Sequence, residues 1–216
     1  MKFDGVKEAP VSDSARKEIA PEHGGMNSLD ENKVRNVLSV IRSFIRRTAG
    51  GSTSVDEYAA HLDTRVNAYT RLLTLLGDGG SSVSLSFLVA DTLSAFVARE
   101  SKNFTISGPE VALYGKAAES LGLALNELAL NAVEHGALGN NGSLQIGWTA
   151  DQFLHISWKE SLRSPPAFAR SGFGVKFLRG ALPFDLNAKV ESHCSDSELV
   201  WRMKIPAGPQ WTVIAD

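Results

Sequence analysis

The sequence predicts an α+β fold in which an antiparallel helical hairpin precedes a two-layer α/β sandwich. Two consecutive stretches carry apolar residues at helical intervals, with only Gly50-Gly51-Ser52 between them. A glycine-rich break, Gly77-Asp78-Gly79-Gly80, then changes the pattern, and one long helical stretch is followed by segments in which apolar and polar residues alternate. The first observation calls for a hairpin and the second for helices laid on a mixed sheet.

In chain order, residues 1–25 mix Pro, Gly, Ser and charge without a period and read as a disordered arm or linker. Order is expected from Ser28, which has capping-box spacing with Glu31 and opens a run with Val34, Val37, Leu38, Ile41, Phe44 and Ile45 on one face. In the second helix Val55, Tyr58, Leu62, Val66, Tyr69, Leu73 and Leu76 step by threes and fours, a coiled-coil-like seam. One hairpin has too little interior to cover both stripes, so pairing with a second copy into a four-helix bundle, a homodimer, is the expected completion. The hairpin is placed at 26–78, the sandwich at 79–208 and a tail at 209–216. Within the sandwich, 85–98 reads as a helix, Phe104-Thr105-Ile106 as a strand, and 117–135 as a long helix burying Leu121, Ala124, Leu125, Leu128 and Ala132. Leu144, Ile146 and Trp148 alternate with polar residues, as do Leu154, Ile156 and Trp158 after a turn at 149–152, and Leu199, Trp201 and Met203 before Pro206.

Composition narrows the function. The chain has 216 residues, 43% hydrophobic and 21% charged, with a formal net charge of -2. That balance lacks the basic excess of a nucleic-acid or anionic-membrane binder, so the expected partners are proteins and small molecules. Cys194 is the single cysteine, which rules out an intramolecular disulfide and a cysteine zinc site and reads as a half-buried strand residue. No apolar run reaches membrane-spanning length and the N-terminus lacks a signal-peptide pattern, so a cytoplasmic location is expected.

The long helix holds the chemistry-bearing set. Glu127 and Asn131 are one helical turn apart, so both can face one cleft while Leu and Ala face the sheet. An Asn amide offers a hard oxygen ligand to a magnesium ion that bridges phosphates, and a carboxylate can orient a water or take a proton. A solvated polar helix face is the plain alternative. Downstream, Trp158-Lys159-Glu160 ends a strand, and Gly172-Phe173-Gly174 precedes Leu178. Glycines let a backbone approach phosphate, and a following helix start supplies free N–H groups.

Residues 126–138 resemble the N box of the HWE histidine kinases, H-E-L-x-x-N-A-x-K-Y-G-A-L, matching at Glu127, Leu128, Asn131, Ala132, Gly136, Ala137 and Leu138, with Asn126 at the leading histidine. Trp158-Lys159-Glu160 matches the family's W-x-E, and Gly172-Phe173-Gly174 with Leu178 its G-F-G-x-x-L. Val34-Arg35-Asn36 and Arg65 ahead of Leu72-Leu73 resemble the hairpin of the same family. The resemblance implies a dimeric phosphoacceptor hairpin joined to a GHKL-type ATP-binding domain in two-component signalling. ATP with Mg2+ would be held by Asn131, with Glu160 accepting from the adenine amine and Gly172, Phe173 and Gly174 at the phosphates. Glu127 would serve catalysis, and a response-regulator receiver domain would accept the phosphate. A separate sensor would supply the signal.

Beyond Asn126, the chain departs from the family pattern in two further places. Setting Val34-Arg35-Asn36 on V-K-N puts Asn32 at the phosphoacceptor histidine, and an amide nitrogen whose lone pair is delocalised is no nucleophile. Ser161 and Leu162 stand where paired glycines are expected, which narrows the base pocket and weakens ATP affinity. His61 on the second helix is a solvated histidine by default and the alternative acceptor. His135 reads as a helix-closing residue. Two readings therefore stay open: a kinase core with impaired autophosphorylation, and a degenerate, non-catalytic protein that dimerises and docks regulators or other kinases. An anti-sigma-factor type of serine kinase fits the three boxes but not the hairpin.

Overall fold

The computed structural model describes residues 28–49, 52–77, 82–94, 103–163 and 173–214. The chain forms two compact units, Met1–Ser39 and Val40–Asp216, whose boundary falls within the first helix, α1 (Ser28–Ala49).

In the first unit, the described part of α1 turns Asn32, Arg35, Asn36 and Ser39 to solvent, together with the apolar Val34 and Leu38. Arg35 lies 3.7 Å from Glu31 one turn earlier, an exposed pair of small energetic weight. The arm expected over 1–25 lies outside the described residues.

The second unit begins with the end of α1 and α2 (Val55–Leu76). Ser54 caps α2 by accepting from the Glu57 N–H at 3.1 Å, while the Glu57 carboxylate accepts from the Thr53 N–H at 2.6 Å, a reciprocal arrangement that satisfies donors at the helix start. The Thr53 hydroxyl, which donates to the same carboxylate at 2.6 Å, and then the Thr53 N–H hold the Glu57 carboxyl below its usual range. Phe44 of α1 meets Tyr69 of α2 edge to face at 5.9 Å, closing the hairpin as the apolar stripes predicted.

After the hairpin come β1 (Ser82–Ser84), α3 (Leu85–Ser94), β2 (Phe104–Ser107), β3 (Val111–Tyr114) and α4 (Gly115–Glu134). They are followed by β4 (Ser143–Ala150), β5 (Phe153–Ser161), α5 (Phe173–Leu186), β6 (Lys189–Cys194), β7 (Glu198–Pro206) and β8 (Trp211–Val213). Five strands form one sheet in the order β2-β4-β5-β7-β6, with β2 parallel to β4 and every other pair antiparallel. A small sheet, β1-β3-β8, is antiparallel throughout. The last strand corrects the reading of 209–216 as a tail: Trp211 is buried and β8 pairs with β3. Cys194 is exposed rather than half-buried.

The alternating strands bury one face. Leu144, Ile146 and Trp148 of β4, Leu154, Ile156 and Trp158 of β5, and Leu199, Trp201, Met203 and Ile205 of β7 are all buried. α4 is likewise enclosed, its residues from Ser120 to Leu130 being buried without exception. A helix covered on all sides follows from its neighbours, because α2, α3 and α5 all pack on α4. On the other face of the large sheet, Gln145, Ser157 and Arg202 are exposed or half-buried among the described residues, as one side of an antiparallel sheet commonly is.

Candidate functional site

Because α4 is enclosed, each polar side chain on it needs a partner or a path to solvent. Glu127 finds its partner on the hairpin. The Arg65 Nε–H donates to Glu127 Oε1 at 2.9 Å and the Nη2–H donates to Oε2 at 3.2 Å, a two-pronged pair only 8% and 2% exposed on its two sides. The same guanidinium donates from Nη1 to Thr48 Oγ1 of α1 at 3.3 Å. Arg65 thus joins three helices.

The contact extends along both helices. One end has His61 Nε2 at 3.0 Å from Glu134 Oε1. Toward the other, Tyr69 donates from its hydroxyl to Glu119 Oε1 at 2.9 Å, and Leu72 covers Gly122. Burial and the nearby Glu119 charge raise the Tyr69 phenol well above its ordinary range. The second hairpin helix therefore lies along the helix that carries the N-box residues. His61, weighed as an alternative acceptor, is engaged in this contact. His135 ends α4, with its N–H donating to Asn131 O at 2.9 Å.

Asn131, one turn beyond Glu127, is half-buried, and its side-chain amide makes no hydrogen bond among the described residues. Among the described residues no side-chain polar atom is sealed from solvent without a partner, so this amide is reachable and fits an oxygen ligand to a phosphate-bridging cation. Among the described residues no cluster of three or more His, Cys, Asp or Glu is placed to hold a metal by itself. A cation here would depend on the nucleotide for most of its ligands.

Glu160 lies elsewhere than an open base pocket. It is fully buried, Oε2 accepts from the Ala137 N–H at 2.8 Å, and Oε1 accepts from the Trp158 indole N–H at 3.0 Å. The W-x-E residues and the Gly136-Ala137 turn are thereby tied together just past the end of α4. A methyl group at Gly136 would overlap the Glu160 carboxylate, so the close approach needs glycine there. For an adenine amine to reach Glu160, the groups that cover this fully buried carboxylate would first have to move. Ser161 is half-buried at the end of β5, and the Leu162 N–H donates to Ser197 O at 2.8 Å. Gly172 lies outside the described residues, Phe173 and Gly174 open α5, and Asn32 belongs to the first unit.

Burial raises the Glu160 pKa above 4.5 against the opposing pull of its two hydrogen bonds. Between 4.5 and the raised value, folded Glu160 keeps a proton that the unfolded chain has released. Stability contributed by this group is full below that window and falls as pH rises through it. Glu160→Gln should remove this part of the slope while lowering stability overall, because the Gln NH2 cannot accept one of the two bonds. Denaturant unfolding between pH 4 and 8 measures both, and an unchanged slope in the variant would contradict the assignment.

The residue that sequence spacing underrated is Arg65. Its signal was a cation on the buried side of α2, among the apolar Leu62, Tyr69 and Leu72, which requires an acidic partner.

The family described as HWE histidine kinase matches residues 31–110. A blue-light-activated histidine kinase of Rhizobium johnstonii is 31% identical over 197 residues, covering 88% of this chain and 55% of the relative. One of the same description from Brucella ovis is 26% identical over 187 residues, covering 82% of this chain and 38% of the relative. The chain thus spans about half the length, or less, of these curated relatives. Among solved structures, the histidine kinase domain of the Erythrobacter litoralis blue-light-activated histidine kinase superposes with a TM-score of 0.57 at 19% identity, over 84% of this chain and 96% of that one. The longer structure of that protein gives 0.58 at 18% identity, over 81% and 64%. These two likenesses establish the fold.

Proposed function

For a chain that belongs to the HWE histidine kinase family, we propose the role of a two-component signalling core that binds ATP with Mg2+ weakly and does not autophosphorylate on its first helix. Two separate observations carry this reading: a reachable Asn131 amide on α4, and an exposed asparagine, Asn32, at the acceptor position of α1. Asn131 would hold the cation that bridges the nucleotide phosphates. When bound, the nucleotide supplies the transferable phosphoryl group; positioning and charge stabilisation by the protein do the rest. With no imidazole at position 32, the chain itself offers no acceptor there, and a response-regulator receiver domain is the protein partner the family resemblance implies. The adenine role of Glu160 and the phosphate role of Gly172, Phe173 and Gly174 belong to the same proposal, the former requiring the fully buried Glu160 carboxylate to become uncovered.

Asn131→Ala is expected to abolish magnesium-dependent ATP binding measured by calorimetry. Unchanged binding in that variant would remove Asn131 from the site, and equal affinity for GTP would remove Glu160 from adenine recognition.

A second reading, a degenerate core that only docks other proteins, is favoured by a specific observation: Glu127 and Glu160 are both engaged inside the protein. Dimerisation is common to both readings. Apolar side chains left exposed at Val34 and Leu38 in the first unit, and at Ile45 and Val55 in the second, support a homodimer through the hairpin helices. The chain should sediment as a dimer at micromolar concentration and Leu62→Glu as a monomer; a monomeric parent chain would exclude the bundle.

A further inference from the structure

The open face of the five-stranded sheet carries a groove of about 590 Å³, a size suited to a small ligand. Its floor is made of small residues in one cross-strand row: Ser107 pairs with Gly147, and Gly147 with Ser157. The row continues to Arg202 and Glu191, and the next row on the same face runs from His155 to Lys204 and Lys189.

Gly147 is the informative residue. Glycine inside a strand loses stability relative to a residue with a side chain, and it commonly marks a place where something approaches the backbone closely. Nothing among the described residues requires it. Gly147 does not have a positive φ, and an added Cβ would meet only Ser107, at 3.5 Å or more, which is ordinary contact. The space above it is therefore left open without a structural reason.

Charge identifies what fits. Lys189 is taken up by Glu191 at 2.6 Å. Arg202 makes no ion pair within 4 Å among the described residues and feels Glu191 and Glu198 only at longer range. Lys204 has the face of the Phe153 ring at 3.7 Å as its partner, which leaves its charge uncompensated. These two cations stand two residues apart on one strand and on one face, roughly 7 Å along β7. They would match two anionic groups of one molecule, while Ser107 and Ser157 supply hydroxyl groups over a flat backbone floor.

We propose that this groove, on the face of the sheet away from α4, is a ligand site for a small molecule bearing two or more carboxylate or phosphate groups, held by Arg202 and Lys204 over Gly147. The site is independent of Asn131 and of nucleotide binding. A nucleic acid is disfavoured by the net charge of -2.

Citrate and tripolyphosphate serve as carboxylate and phosphate probes in calorimetric titration of the intact chain at low ionic strength, with amide shifts followed at Ser157 and Arg202. Saturable binding of at least one probe is expected, and which one binds tells carboxylate from phosphate chemistry. Gly147→Val fills the floor with a residue that strands favour; its unfolding midpoint should be no lower than the parent's, while binding weakens about tenfold or more. The pair Arg202→Ala with Lys204→Ala should weaken binding by a similar factor through a different change. Gln145→Val, on the same strand and face but outside the groove, should bind like the parent. The proposal is overturned if neither probe saturates, if Gly147→Val or the double variant binds as tightly as the parent, or if a glutamate-rich peptide binds where neither small anion does.

Discussion

Arg65→Ala is expected to lower the unfolding free energy by about 3–5 kcal/mol, the cost of leaving one partner of a buried ion pair without the other. The Arg65 guanidinium satisfies both Glu127 oxygens and Thr48 Oγ1, and both charged side chains lie below one-tenth exposure. Removing it leaves a carboxylate enclosed between helices in a medium that solvates it poorly. The double change Arg65→Met with Glu127→Leu removes both charges and keeps the volume, so it should recover most of the loss. Chemical denaturation of the three variants beside the parent measures this. A cost below about 1 kcal/mol for Arg65→Ala would show that the pair behaves like a surface salt bridge. The same substitution loosens the hold of α2 on α4 at the level of Glu127, while His61–Glu134 and Tyr69–Glu119 persist on either side.

Asn32→His should convert a chain that takes no acid-labile phosphate from labelled ATP into one that does. Phosphoryl transfer is chiefly positioning and charge stabilisation, yet it requires a nucleophile to receive the group. Asn32 is exposed on α1, beside the equally exposed Arg35 and Asn36, so an imidazole there would be open to solvent and to a phosphate donor. The expected result is label on Asn32→His that base preserves and acid removes, with none on the parent. Label on the parent would refute the reading of Asn32, and its loss in His61→Ala would move the acceptor to α2. An Asn32→His variant that binds ATP yet takes no label would assign the α/β half to the docking role alone.

Much of the fold was legible because burial imposes periods on sequence. A helix with one covered face repeats near 3.6 residues, and so α1, α2 and α4 were read within a few residues of their ends. A strand with one covered face repeats every two, which exposed β4, β5 and β7. Val111-Ala112-Leu113 of β3 is buried at all three positions and has no alternation to read. β6 is a largely polar edge strand, and β1 and β8 are three residues each. Such segments become strands only because a neighbour offers them hydrogen bonds.

By itself the sequence determined the hairpin, the α/β half, the motif residues and the face of α4 that Glu127 and Asn131 share. Only the tertiary structure decided what covers that face. Arg65 and Glu127 are 62 positions apart, and no local period reports which distant charge will answer a carboxylate on a buried helix. It likewise decided that Glu160 accepts from the Ala137 N–H and the Trp158 indole, since spacing assigns a residue to a face but not to a neighbour. Periodicity records that a surface is buried; the partner is chosen when the packed elements must satisfy every enclosed polar group at once.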